Sequence, residues 1–323
     1  MEKNMYPQVF AAINTNENIR GKSRSGGVFT AVSDVILKQD GTVYGVILKD
    51  CVRAEHIRAI DHSGRDSMRG SKYIQSSTMN TYREVREDLR KGKKVLYTGT
   101  SCQIAGLKGY LRNEKQDNLY CMDIICHGVP SPLVWESYVR YLEKKLNGDC
   151  LDVDFRNKEV FGWKAHYESL QFRTRIGKRE KKYYSDVFKD LFYSHYILRP
   201  SCYKCPYKSI IHPGDMTIGD YWGIRKAAPE LDDDKGVSLV LVNNAKGEEL
   251  FTCIKDSVKY KSTLIEDSMQ PPLIAPFEEP EERDMFWRDY YSMPFDKLLN
   301  KYSNHKGIYS FINSMRIMKK IVM

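Results

Sequence analysis

Four of the eight cysteines sit at expected chain turns. Cys102 lies in Thr98-Gly99-Thr100-Ser101-Cys102-Gln103, Cys126 in Cys126-His127-Gly128-Val129-Pro130-Ser131-Pro132, and Cys202 and Cys205 in Cys202-Tyr203-Lys204-Cys205-Pro206. Thiolates in such settings bind metals or carry electrons, and three chemistries are open to them. A structural zinc usually draws on two local ligand pairs, whereas only Cys202 and Cys205 form a pair here. An iron–sulfur cluster accepts scattered ligands, and a proline directly after a cluster cysteine, as at Pro206, is a ferredoxin habit, so the cluster is the favoured reading. A nucleophile would be Cys102, at an expected helix N-terminus that lowers a thiol's pKa. Cys126 and His127 make a poor dyad, because neighbours on a strand point to opposite faces; His127 reads as a turn or supporting residue. Cys51, Cys121, Cys150 and Cys253 read as ordinary packed or surface thiols.

Three loops could grip a phosphorylated cofactor. In Lys22-Ser23-Arg24-Ser25-Gly26-Gly27, hydroxyls, paired glycines and basic side chains meet where a helix is expected to begin. Free N–H groups and the helix dipole favour an anion there. Arg69, Gly70, Ser71, Lys72 and Tyr73, followed by Gln75 and Ser76, form a second cationic loop, and Thr98, Gly99 and Thr100 a third. Neither G-x-G-x-x-G after the first strand nor G-x-x-x-x-G-K-[ST] occurs, which disfavours a standard nicotinamide site or a P-loop.

The elements that must position these loops alternate between helix and strand. A helix is expected over residues 28–38, a strand over 42–48, a charged amphipathic helix over 81–91, an apolar strand over 94–97 and a helix over 103–111. A second apolar strand is expected over 119–126, then an amphipathic helix over 135–146. Strands over 153–156 and 167–175 alternate as in an antiparallel sheet. Further strands are expected at 216–219 and 238–242, and a Pro- and Glu-rich linker after Pro271 leads to a helical tail. The fold class is therefore α/β, with mixed β-sheets flanked by helices and a helical C-terminal tail. Strands that end in glycine-bearing loops before helices put ligands at their carboxyl ends.

Composition narrows the setting. A chain of 323 residues with 41% hydrophobic content is long enough for about two folded domains. There is no signal-peptide pattern and no apolar run long enough to span a bilayer, so a cytoplasmic location is expected. In a reducing compartment, eight cysteines are not a disulfide framework. The net charge of +9 raises nucleic acid as a partner, but its short basic clusters are broken by acidic segments such as Asp232-Asp233-Asp234. Solvated faces, an anionic cofactor or an acidic protein partner fit better.

Six motifs in one order carry a resemblance. They are residues 23–30, residues 69–76, Thr98 to Gln103, Cys126 to Pro132, Cys202 to Cys205, and Asp215-Met216-Thr217-Ile218-Gly219-Asp220-Tyr221-Trp222-Gly223. Together, from about Phe10 to Tyr260, the chain resembles the coenzyme F420 hydrogenase/dehydrogenase beta-subunit family. The resemblance implies a flavoprotein, usually with FAD, that passes electrons between iron–sulfur clusters and a flavin or deazaflavin substrate. By motif it implies that Cys102, Cys126, Cys202 and Cys205 ligate a 4Fe–4S cluster, and that the segments around Ser25 to Gly27 and Arg69 to Ser76 hold the flavin. Residues 1–92 would be a flavin-contacting region, 93–262 a cluster- and flavin-binding region, and 263–323 the linker and tail. Many relatives carry an N-terminal ferredoxin module, whereas this chain has no cysteine before Cys51; a separate ferredoxin-like protein is expected to donate electrons and a small molecule to accept them. Ser101 departs from the family's usual proline and is expected to loosen the turn. A zinc-stabilised, non-catalytic binding or assembly protein is the alternative.

Overall fold

Apolar residues alternate with period two along the central strands, and the alternation sorts them onto two buried faces. The computed structural model describes residues 6–304 together with Met318 and Lys320. The strands are β1 (Gln8–Asn14), β2 (Thr42–Lys49), β3 (Arg53–Ala59), β4 (Ser76–Ser77), β5 (Val95–Thr100), β6 (Leu119–Ile124), β7 (Gly148–Asp154), β8 (Glu168–Thr174), β9 (Glu180–Ser185), β10 (Met216–Asp220), β11 (Ser238–Val242) and β12 (Val258–Ser262). Among the described residues these form a nine-stranded sheet ordered β12-β1-β11-β10-β6-β5-β2-β3-β4 and a separate antiparallel sheet ordered β7-β8-β9. At the centre, β10, β6, β5 and β2 run parallel. The large sheet takes strands from both sides of residue 92.

Helix α1 (Val28–Leu37) covers one face with Val28, Val32 and Ile36, which pack with Val43, Leu96, Tyr120 and Met122. The opposite face carries Tyr44, Val95, Tyr97 and Cys121, covered by Val85 of α2 (Thr81–Arg90) and by Ile104 and Leu107 of α3 (Ser101–Tyr110). Cys121 is thus a packed core thiol, as expected, and Cys253 is exposed. Helix α4 (Pro132–Leu146) has its proline at N1, where the missing N–H costs nothing. It buries Val134, Trp135, Tyr138 and Leu142 against Leu170 and Phe172 of β8 and against Phe188 and Leu191 of α5 (Val187–Tyr193).

Helix α6 (Ala245–Ile254) adds Leu250, Phe251 and Ile254 to the α1 face. After residue 271, α7 (Arg283–Ser292) and α8 (Phe295–Tyr302) form the helical C-terminal part and bury Phe286, Leu298 and Leu299 beside α4. Of the expected last helix, with Phe311, Ile312, Met315, Ile317, Met318 and Ile321, only Met318 is among the described residues, and it is helical. Among the described residues no helix is long and apolar enough to cross a membrane.

Candidate functional site

The carboxyl ends of β5, β6 and β10 open together on a cavity of about 490 Å³. Ser25, Gly27, Arg69, Ser71, Lys72, Tyr73, Ser76, Thr98, Gly99 and Thr100 line it; Gly26 and Gln75 do not. Gly26 is instead a packing residue: its N–H donates to Ser238 Oγ at 2.9 Å, and a Cβ there would lie 2.2 Å from the Ala12 carbonyl oxygen. Gly27 takes the left-handed φ of +88° that turns the chain into α1, so the first turn of that helix, with Val28 and Phe29, faces the cavity. In the third loop the Gln103 side chain accepts from the Thr100 N–H at 3.0 Å and reaches Ser76 Oγ at 3.0 Å, tying α3 to the second loop.

One end of the cavity is cationic. Lys72 Nζ donates to the Met68 and Arg69 carbonyls at 3.0 and 2.9 Å, and burial lowers its pKa to about 7. Arg69 is held by Asp66 at 2.6 Å and donates from Nε to Thr30. Arg24 donates through its two terminal nitrogens to the Arg156 and Trp163 carbonyls, while its buried Nε has no partner. Ser23, Arg24, Arg69, Gly70, Ser71, Lys72 and Arg156 are shared with a second cavity of about 680 Å³, which continues past Lys22 and Lys158. An orphaned guanidinium N–H at that junction fits an anionic group such as a diphosphate.

Of the four candidate thiols, Cys126 lines the cavity, whereas Cys102, Cys202 and Cys205 are not among its lining residues. The Cys126 sulfur is within electrostatic reach of Cys202 and Cys102, and Cys202 within reach of Cys205. Burial pushes the Cys126 thiol up to about 12, with Lys208 opposing the rise, and burial likewise raises Cys202. Lys208 is buried, donates to the His127 carbonyl at 2.7 Å and lies within the field of Cys126, Cys205 and Cys202. All four cysteines are free. Among the described residues no three His, Cys, Asp or Glu side chains are grouped so as to hold a metal ion. A single zinc needs its sulfurs within about 4 Å of one another, given its 2.3 Å bonds, and a polynuclear cluster spreads them further. Ser101 is a buried anchor rather than a loosened turn, with its hydroxyl 3.1 Å from His212 Nδ1.

Arg156, Trp163, His195, Lys208 and Phe277 lie at the site but outside the six motifs. Arg156 pairs with Asp220 at 2.6 Å and lies 4.7 Å over the Trp222 ring, which stacks on Trp163 at 5.1 Å. Trp222 falls within one of the six motifs, but Arg156 is a lone arginine after a strand. His127 and His195 bring their Nε2 atoms to 2.8 Å, and the Phe277 ring packs at a tilt against both, with centroids at 4.2 and 4.5 Å. Lys208 and Phe277 also meet, at 4.3 Å. Spatial convergence from distant segments is what makes these residues part of the site.

The geometry agrees with comparisons to known proteins. By fold, the chain is similar to a chain of the F420-reducing [NiFe] hydrogenase complex from Methanosarcina barkeri, solved with xenon derivatization. That match has 17% identity and a TM-score of 0.53, and covers 81% of this chain and 85% of that one. No curated protein matches the chain significantly. The family model described as the C terminus of the coenzyme F420 hydrogenase/dehydrogenase beta subunit matches residues 92–268, more than half of the sequence. With the parallel-strand cavity and the thiols beside it, this match places the chain in the coenzyme F420 hydrogenase/dehydrogenase beta-subunit family.

Proposed function

We propose that the chain is a cytoplasmic oxidoreductase that holds FAD in the 490 Å³ cavity and a 4Fe–4S cluster on Cys102, Cys126, Cys202 and Cys205. One observation carries the reading: Cys126 belongs both to the cavity wall and to the thiol group, so the two cofactors would share a boundary. When bound, the cluster supplies single electrons and the flavin supplies hydride chemistry.

The protein's own part is placement and charge. The first turn of α1, Arg24 and Lys72 would hold the diphosphate, through helix N–H groups and the unpartnered Arg24 Nε. Trp222 and Tyr193 contribute aromatic surface to the same wall, and Arg156 holds Trp222 in place. The raised pKa values of Cys126 and Cys202 mean that these thiols give up protons when they take up metal. Lys208 offsets the charge they acquire. Electrons would come from a separate ferredoxin-like protein on the side of the exposed Cys102 and go to a small-molecule acceptor. Association with other proteins also accords with the hydrogenase complex to which the structural neighbour belongs.

Anaerobic purification followed by cofactor extraction tests the proposal. The expected protein is brown, with about four iron and four sulfide per chain and extractable FAD. Cys202→Ser should abolish the broad absorption near about 400 nm and leave flavin at least partly bound. Colourless protein containing zinc and no flavin would overturn the reading, and full iron in Cys202→Ser would remove Cys202 from the ligand set.

A further inference from the structure

The chain beyond the family-matched residues 92–268 supplies part of the cavity wall. Residues 270–283 hold four prolines, Pro271, Pro272, Pro276 and Pro280, whose fixed φ makes the segment stiff before it packs. Both of its ends are pinned. Gln270 Nε2 donates to the Asp220 carbonyl at 3.3 Å, and Leu273 is buried in the cluster of Trp163 and Tyr221. At the far end Arg283 Nε donates to Tyr203 Oη at 3.2 Å and Nη2 to the Leu198 carbonyl at 3.4 Å. The strap thus joins the Asp220 motif to the Cys202–Cys205 motif, and on its course Pro271, Pro272 and Phe277 line the cavity.

Phe277 is the strap's one aromatic residue and the inward one in an outward run. Ile274, Ala275, Pro276, Glu278 and Glu279 around it are exposed, whereas Phe277 is half-buried and lines the cavity. Its ring lies 4.2 Å from that of His127, 4.5 Å from that of His195 and 4.3 Å from Lys208 Nζ. These neighbours are themselves locked. The two histidines meet at 2.8 Å, while Lys208 donates from Nζ to the His127 carbonyl at 2.7 Å and from its backbone N–H to the Cys205 carbonyl at 3.5 Å. One ring, with solvent outside its strap and the cavity inside, therefore closes the wall next to the turn that carries Cys126.

We propose that Phe277 is a selectivity residue: the strap holds its ring as a fixed plug in the cavity wall, which shuts out bulky reactants and admits only small-molecule acceptors. The proposal rests on the reading of this cavity as the flavin site and adds which reactants can enter it. A protein partner is confined to the outer surface at this wall, while an acceptor must be small enough to enter the cavity. Keeping bulk water out at the same place strengthens the charge interactions inside.

Alkylation of Cys126, which shares the cavity wall, reads this access in the full-length chain freed of cofactors. N-ethylmaleimide is the small reagent and fluorescein maleimide the bulky one, and tryptic mapping by mass follows each cysteine. Phe277→Ala should raise the rate at which the bulky reagent labels Cys126 at least about tenfold and the small-reagent rate much less, since thiol reactivity follows access. The exposed Cys102 and Cys253 should label as in the wild type, and the buried Cys121 should stay unlabelled, which shows that the fold is intact. Should Cys121 become labelled in that variant, Phe277→Leu takes its place and should give a smaller rise of the same kind. In flavin-loaded holoprotein carrying either substitution, reoxidation by a bulky quinone should quicken relative to reoxidation by a small one. Unchanged labelling of Cys126 by the bulky reagent, or equal acceleration by both reagents, would overturn the proposal. A chain that purifies without FAD yet shows the selective opening at Cys126 keeps the plug and removes the flavin reading instead.

Discussion

Lys72 has a strongly environment-shifted charge within the proposed cofactor cavity. Burial lowers its pKa to about 7, against about 10.4 in an unfolded chain. Between those values the unfolded chain holds a proton that the folded chain has released, so Lys72 adds to stability as pH rises above 7. A bound diphosphate reverses the preference by stabilising the ammonium, and flavin binding then takes up a proton. Affinity should therefore fall above pH 7, by up to about tenfold per pH unit. Fluorescence titration of flavin-depleted protein with FAD between pH 6.5 and 9 checks this. Lys72→Met should bind more weakly at pH 6.5 and flatten the profile; an unchanged profile in that variant would exclude Lys72 from the diphosphate contact. Residue-scale legibility follows the same physics. The loops of Ser25, Gly27, Lys72 and Thr98 were readable because helix starts and glycines leave local signatures, while Arg156, Lys208 and Phe277 became visible only once distant segments met.

At the scale of elements, α2 is fixed to the sheet by one carboxylate. Asp88 accepts from Arg58 Nε at 2.7 Å, from Tyr44 Oη at 2.8 Å and from Thr42 Oγ1 at 3.0 Å. Burial alone would raise its pKa, but these donors outweigh burial and hold it below the ordinary aspartate value. A depressed carboxylate contributes stability above the unfolded pKa of about 3.9 and loses it as pH falls through the lower folded value. Asp88→Asn should cost about 1.5–3 kcal/mol near neutral pH, the range for hydrogen bonds to a charged group. Its thermal midpoint should also fall less steeply than that of the wild type from pH 5 to 3; parallel curves would show that Asp88 does not supply the acid sensitivity.

The elements legible in the sequence were those with a clear period. α1, α2, β2, β6 and β11 lie within a few residues of expectation because their apolar faces repeat cleanly. β3 (RAEHIRA), β9 (EKKYYS) and β12 (VKYKS) were missed. Their charges belong to exposed strand faces and sheet edges, where lysine guards against unwanted pairing but hides the strand pattern. β1 was missed for another reason: QVFAAIN is buried on both faces of the large sheet and so lacks polar alternation.

At the scale of the whole molecule, the formal charge is +9, and Arg199 and Lys204, which flank Cys202 in sequence, are exposed, as is Ile211 at 78%. Exposed cations next to the thiol segment suit an acidic electron-transfer protein better than a nucleic acid, given the short and interrupted basic clusters. Charges steer such encounters over distances set by ionic strength, with a screening length of about 8 Å at 0.15 M and 3 Å at 1 M. If an acidic ferredoxin delivers electrons here, its second-order rate of reducing the holoprotein should fall at least about tenfold between low and high salt. Reduced methyl viologen, a small cation, should show the opposite trend, since screening removes its repulsion. Stopped-flow measurement of both donors separates surface steering from a general salt effect on the cofactors, which would move the two rates together. Arg199→Glu combined with Lys204→Glu should lower the low-salt ferredoxin rate and leave cofactor content unchanged. A ferredoxin rate indifferent to salt and to those charge reversals would place the electron entry point elsewhere on the molecule.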